Sequence, residues 1–307
     1  MNIKKSITSI SIVVISALMI YGLILVRQIF SDNTKFEETE VFVYIPTDSD
    51  YEAVKQIVAP YVNDMDRFDA VANKKKYPNN VKPGKFLFKK GMNSNELINA
   101  LRINNEVKLS FNNQERLEDF AGRIGSEIEA DSVSLLTAIK DSAFLKENGF
   151  NEDNVLTMFI PNTYELYWNT TATKFRDKMI KEYRNFWNDE RIAKAKAQGL
   201  TPTEATILAS IVHKESVKKD ERPRIAGVYL NRLHKGILLQ ADPTVIYAVK
   251  KKSNDFKQVI KRVLNKDLQV ASPYNTYYSA GLPPGPIAMP DITAIEAVLN
   301  PEMNNPE

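Results

Sequence analysis

The chain contains no cysteine and only two histidines, His213 and His234. Thiol catalysis, disulfides and lipid attachment through an N-terminal cysteine are thereby excluded, and so are most zinc sites. A cysteine-free composition suits an oxidising compartment. Charge of one sign is also lacking: 41 basic side chains stand against 38 acidic ones, a net +3, so no overall field points to nucleic acid as a partner. The basic runs Lys74–Lys76 and Lys250–Lys252 are short and read as solvated surface. The residue count allows a Ser-His-Asp arrangement, but no G-x-S-x-G elbow occurs, and neither does an internal repeat or low-complexity tract.

What is present is ordinary for globular protein. The 307 residues are 43% hydrophobic and 26% charged, enough for two folded units. Ser6 to Val26 is a run of 21 residues without a charge, preceded by Lys4 and Lys5 and followed by Arg27. That length crosses a bilayer as a helix. A cleaved signal peptide competes with this reading, but the run exceeds a usual h-region and offers no small-x-small cleavage site around Ile20–Leu23. The expectation is an uncleaved single-pass anchor in the cytoplasmic membrane, with the lysines holding the N-terminus in the cytoplasm and the remainder outside.

Residues 1–30 are thus a cytoplasmic stub plus anchor, and the polar, acidic stretch 31–40 reads as a linker. In residues 41–106 the pattern predicts a small α+β module: a strand at Val41–Ile45, a helix from Asp50 to Tyr61, a turn at Lys82–Gly84 into a strand at Phe86–Phe88, and a helix starting at Ser94. Residues 107–307 form a second, mixed α+β domain. It opens with a strand at Val107–Phe111 and a helix over Glu115–Glu129, and it includes the aromatic run Val155–Trp168 and one long charged helix from Lys174 to Ala197. The segment Ala271–Pro290 holds five prolines and two glycines in twenty residues, which forbids regular structure and stiffens the loop.

The stretch Thr201–Ser216, TPTEATILASIVHKES, carries the chemistry. Thr201, Pro202 and Glu204 make a capping box with proline at the first helical position. Leu208, Ile211 and Glu215 follow at i, i+3 and i+7, which points Glu215 inward, whereas His213 projects from another face. A partly desolvated carboxyl has a raised pKa and suits a general acid. A glutamate at a frayed helix end, paired with Lys218, Lys219 or Arg222, satisfies the same spacing. Asp242 before Pro243 reads as a plain N-cap, which does not keep it off a cleft wall.

Taken together, KPGKFLFKKGMNSNELINAL (Lys82–Leu101), FIPNTYELYW (Phe159–Trp168), LASIVHKES (Leu208–Ser216), VYLNRL (Val228–Leu233), LQADPTVIYA (Leu239–Ala248) and SPYNTYYSAGLPPGPIAMP (Ser272–Pro290) resemble the YceG-like endolytic murein transglycosylases of bacteria, the MltG group. The resemblance implies that the module at 41–106 is LysM-like. It also implies that 107–307 is a lytic transglycosylase domain, cutting the MurNAc–GlcNAc β-1,4 bond inside peptidoglycan glycan strands with neither metal nor organic cofactor. Glu215 matches the family's acid. It would protonate the leaving oxygen, then as carboxylate take the proton of the MurNAc C6 hydroxyl as the 1,6-anhydro ring closes. Gln240, Asp242, Asn275, Thr276 and Tyr277 are expected on the sugar-binding cleft, with Tyr164 and Glu165 as neighbours. Cell-wall synthases are the family's plausible partners.

Two departures stand out. Family members commonly carry an acid where this chain has His213, and they continue through a further aromatic strand where it ends at Glu307. The rival expectations are a lysozyme-type hydrolase and a non-catalytic glycan-binding scaffold.

Overall fold

The computed structural model describes residues 14–22, 26 and 30–302. Most of the expected span Ser6–Val26 lies outside the described residues, and among the described residues no helix is long and apolar enough to cross a membrane. Among the described residues the fold is mixed α+β, mostly helical with two small sheets. The chain divides into two compact units: residues up to Val107 with Leu166–Asn169, and Lys108–Glu165 with the rest from Thr170.

In the first unit, strand β1 (Glu40–Ile45) pairs antiparallel with β2 (Gly84–Lys89), Glu40 opposite Lys89 and Ile45 opposite Gly84. Period-two alternation puts Val43, Ile45, Phe86 and Phe88 on the buried face. They pack against helices α1 (Tyr51–Val58), α2 (Met65–Lys74) and α3 (Ser94–Ala100) through Val54, Val58, Phe68 and Leu97. The predicted helix Asp50–Tyr61 is α1 closed by a 3-10 turn at Ala59–Tyr61, where Pro60 stops the α-helical ladder. The stretch 31–40, expected as a linker, is tied into this unit instead. Asn33 is fully buried, its amide donating to the Asp64 carbonyl (2.9 Å) and Ser94 Oγ (2.8 Å), and Phe36 joins the core. Polarity alone concealed this, because the buried polar groups are satisfied by partners distant in sequence.

Strands β3 (Glu106–Ser110) and β4 (Thr163–Tyr167) form the second two-stranded sheet. The second unit then contains α4 (Leu117–Gly125), shorter than predicted, α5 (Ser132–Ile139) and α6 (Ser142–Asn148). The helix predicted over Lys174–Ala197 is two helices, α7 (Ala172–Phe186) and α8 (Asp189–Ala197). The break lies at Asn188, whose side chain accepts from Arg191 N and so starts a new helix.

Helix α9 (Pro202–Glu215) is the centre of this unit. Its capping box is formed, Thr201 accepting from Glu204 N and the Glu204 carboxylate accepting from Thr201 N. Every residue from Ala205 to Val212 is buried, as expected for a helix covered on all sides. Helices α10 (Arg222–His234), α11 (Asp242–Ser253) and α13 (Ile292–Leu299) supply the cover, through Ala226, Leu230, Ala248, Ile295 and Val298. The short α12 (Asn265–Leu268) precedes the proline-rich loop. That loop has neither helix nor strand, and it is fastened to α9 where Ile287 N donates to Ser210 Oγ at 3.1 Å.

Candidate active site

Glu215 is the last residue of α9. Contrary to the inward direction expected from its spacing, it is exposed: the helix ends there, and the residues that would cover it belong to an exposed loop. One side of its carboxyl is nonetheless crowded. The hydroxyl of Tyr229, a buried residue of α10, donates to Glu215 Oε2 at 3.2 Å. Partial desolvation pushes the Glu215 pKa above the ordinary carboxylate value; the Tyr229 hydrogen bond opposes this and the negative charge of Asp242 adds to it.

Asp242 is not a cap. Ala241 occupies the N-cap of α11 and Asp242 is the first helical residue, which leaves its carboxylate free to accept from the Tyr277 hydroxyl at 2.8 Å. Burial and this bond raise the Tyr277 pKa to about 12, and the Glu215 charge contributes in the same direction. Gln240 stands beside this pair with left-handed backbone (φ 56°), its N–H bonded to Thr276 O and its side-chain oxygen accepting from Arg232 Nη1 at 3.2 Å. The structure thus brings together Glu215, Asp242, Gln240 and Tyr277 as an open polar surface edged by Tyr229 and Arg232.

The other predicted residues lie elsewhere. Asn275 is fully buried: its amide donates to Leu268 O and Val270 O, both at 2.9 Å, and its oxygen accepts from Tyr277 N. Thr276 is buried and bonded to Ala241 N and Thr244 Oγ1. Both shape the loop that carries Tyr277, and neither presents its side chain to a ligand. Tyr164 is core, stacked on Phe111 at 5.3 Å with its hydroxyl donating to Ile160 O. Glu165 is on the exposed face of β4, 3.9 Å from Lys108. The expectation for these four rests on the family resemblance and residue type, and neither distinguishes the buried hydroxyls and amide of Tyr164, Thr276 and Asn275 from presented ones.

Sequence reasoning missed three groups around the α9 terminus. Tyr229 was given no functional role of its own within VYLNRL, although it lies on one helical face with Arg222 at i and i+7. Asp291, the N-cap of α13, also pairs with Arg222 and lies 3.3 Å from His213 Nδ1. Glu115 accepts from Lys214 (3.0 Å) and Lys250 (2.9 Å); burial would raise its pKa, but the two ammonium groups outweigh that and hold it below the ordinary value. Two cavities share Glu115 and Tyr247 in their linings. One, of about 210 Å³, includes Lys214 and Pro243; the other, of about 430 Å³, includes Asp153, Lys251 and Tyr274, and Glu215 lines neither.

Among the described residues no cluster of three or more His, Asp or Glu could hold a metal ion. The chemistry that the side chains at the α9 terminus offer is proton transfer at a carboxyl with a raised pKa, beside a second carboxylate held by a tyrosine.

Comparison with known proteins adds to this geometry. The model of the YceG-like family matches residues 43–306. A Bacillus subtilis (strain 168) protein named endolytic murein transglycosylase is 28% identical over 312 residues, spanning 94% of this chain and 82% of that protein. A Streptococcus pneumoniae serotype 2 protein of the same name is 33% identical over 144 residues, 46% of this chain and 25% of that one. The crystal structure of a yceG-like protein from Listeria monocytogenes superposes with TM-score 0.58 at 25% identity, covering 87% of this chain and 92% of that one.

Proposed function

From the premise that this chain belongs to the YceG-like family, we propose that it is an endolytic murein transglycosylase and that Glu215 is its acid and base. The name carried by its relatives and the raised-pKa carboxyl at the open end of the central helix support the same reaction.

Glu215 in its protonated form gives its proton to the glycosidic oxygen as the bond to MurNAc breaks. The resulting carboxylate then takes the proton of the MurNAc C6 hydroxyl while that oxygen closes on C1, giving a 1,6-anhydroMurNAc end and no net consumption of water. One carboxyl serves both steps because the second returns it to its starting state. Tyr229 orients it. Asp242, aligned by Tyr277, lies close enough to add negative charge, which favours the protonated form of Glu215 and the developing positive charge at C1. Gln240 and Tyr277 are left to bond sugar hydroxyls.

One observation favours a second reading. A carboxylate beside the acid is what a hydrolase needs to orient water, so Asp242 also suits lysozyme-type cleavage.

The anchor at Ser6–Val26, the position of both units outside the cytoplasmic membrane, the LysM-like character of the first unit and a link to cell-wall synthases are part of the same proposal. The length and charge-free composition of Ser6–Val26 support the first two, and family membership supports the others.

The test is mass spectrometry of glycan products from uncrosslinked peptidoglycan incubated with the full chain and with Glu215→Gln. Internal fragments with 1,6-anhydroMurNAc ends, absent for the variant, are expected. Reducing ends would make the protein a hydrolase, and intact strands with retained binding would make it a scaffold.

A further inference from the structure

Arg222 is the first residue of α10 and is only 2% exposed. Its guanidinium is used on every side. Nε donates to the Ser216 carbonyl at 3.2 Å. Nη1 donates to both Asp291 carboxylate oxygens at 2.7 and 2.8 Å and to Thr293 Oγ1 at 2.6 Å, and Nη2 lies 3.4 Å from His213 Nδ1. Seven residues further along the same face, the Tyr229 hydroxyl reaches Glu215. Helix α10 therefore grips two consecutive residues at the end of α9: the Glu215 side chain through Tyr229, and the Ser216 backbone through Arg222.

The grip falls where α9 gives way to loop. At Ser216 the backbone turns extended (φ −139°, ψ 134°), and Val217–Glu221 is exposed. A terminal helical residue next to a solvated loop is free to fray unless its orphan carbonyls are held. Asp291 keeps the clamp rigid, since it also caps α13 by accepting from Ala294 N (2.9 Å) and Thr293 Oγ1 (2.7 Å). His213 closes the last side. Its Nδ1 lies 3.3 Å from Asp291 Oδ2 and 3.4 Å from both Arg222 Nη2 and Asp291 N; burial lowers its pKa, and the Asp291 carboxylate opposes this.

We infer that Arg222, clamped by Asp291, is a positioning residue for the cleavage proposed above: it fixes the end of α9 so that Glu215 meets the glycosidic oxygen. The inference rests on Glu215 being the proton donor. A lysine at 222 would keep the charge, but one ammonium cannot span Ser216, Asp291 and Thr293 together.

The experiment combines hydrogen-exchange mass spectrometry with steady-state cleavage on the full chain. In Arg222→Lys, peptides over residues 213–221 should exchange faster while 205–212 stay protected. In Arg222→Lys and in Asp291→Asn, kcat should fall roughly 10- to 100-fold with KM within about twofold, the size expected when an acid is displaced by about an ångström. Asparagine still caps a helix, so Asp291→Asn remains informative if the lysine variant does not fold. The double variant His213→Glu/Asp291→Asn moves the carboxylate to the other side of the same guanidinium and should recover most of the lost kcat; a role confined to capping α13 would gain nothing. Unchanged exchange in the lysine variant, or wild-type kcat in both single variants, overturns the inference. If the wild type cleaves no glycan, the proposed reaction falls, and the exchange data alone decide whether Arg222 holds the end of α9.

Discussion

The Tyr229 hydroxyl donates to Glu215 Oε2 at 3.2 Å, so the group proposed to transfer the proton is bonded to a side chain from the neighbouring helix. The bond favours the carboxylate, whereas desolvation and Asp242 favour the acid. Removing either neighbour should move the pKa of Glu215 in opposite directions. Tyr229→Phe raises it, so the alkaline limb of the kcat/KM profile, where the acid is lost, shifts to higher pH. Asp242→Asn lowers it and shifts the same limb to lower pH. Profiles moving together would show that another group sets the limb.

Glu215→Gln should lower kcat by roughly 10²- to 10⁴-fold, the usual contribution of a positioned proton donor. Its thermal midpoint should stay close to wild type because the residue is exposed. Retained activity in a folded variant would assign the acid elsewhere.

Asn275→Ala should destabilise the protein by roughly 1–3 kcal/mol for each buried partner left unsatisfied. Its amide and oxygen hold three backbone groups in the loop. Chemical denaturation would measure the loss, and the KM for glycan strands should change only if Tyr277 moves with the loop.

Asp291 links stability to acid. Burial would raise its pKa, but Arg222, Thr293 and the Ala294 N–H outweigh this and bring it down to about 2. A carboxylate depressed in the folded state contributes stability above its unfolded pKa of about 3.9 and loses it as pH falls towards the folded value. The wild type should therefore weaken between about pH 4 and pH 2 more steeply than Asp291→Asn, as read from denaturation midpoints across that window.

Gly285 lies against the carbonyl of Asp153, with no room for a Cβ. Gly285→Ala should cost about 1–3 kcal/mol by forcing the proline-rich loop outward. A wild-type melting temperature would mean that the loop yields freely at this point.

Local interactions made much of the fold legible. The capping box at Thr201 and Glu204, the alternation in β1 and β2, and the irregular path of Ala271–Pro290 all depend on residues a few positions apart, so spacing alone reveals them. Asn188 shows the limit: a helix spacing continued through it, yet its side chain satisfies Arg191 N and divides the helix.

At the site, the sequence by itself determined that a carboxyl ends the central helix, that Gln240 and Asp242 stand at the start of another helix, and that a stiff loop carries Tyr277. Tertiary structure decided which of these meet. Asn275, Thr276 and Tyr164 were drawn into the interior because their polar atoms found backbone partners there, whereas Glu215, Asp242, Gln240 and Tyr277 remained at the surface. Arg222 reaches Asp291 across 69 residues of sequence and Tyr229 reaches Glu215 across 14. Contacts of that kind depend on how helices pack side by side, and periodicity within one helix does not encode them.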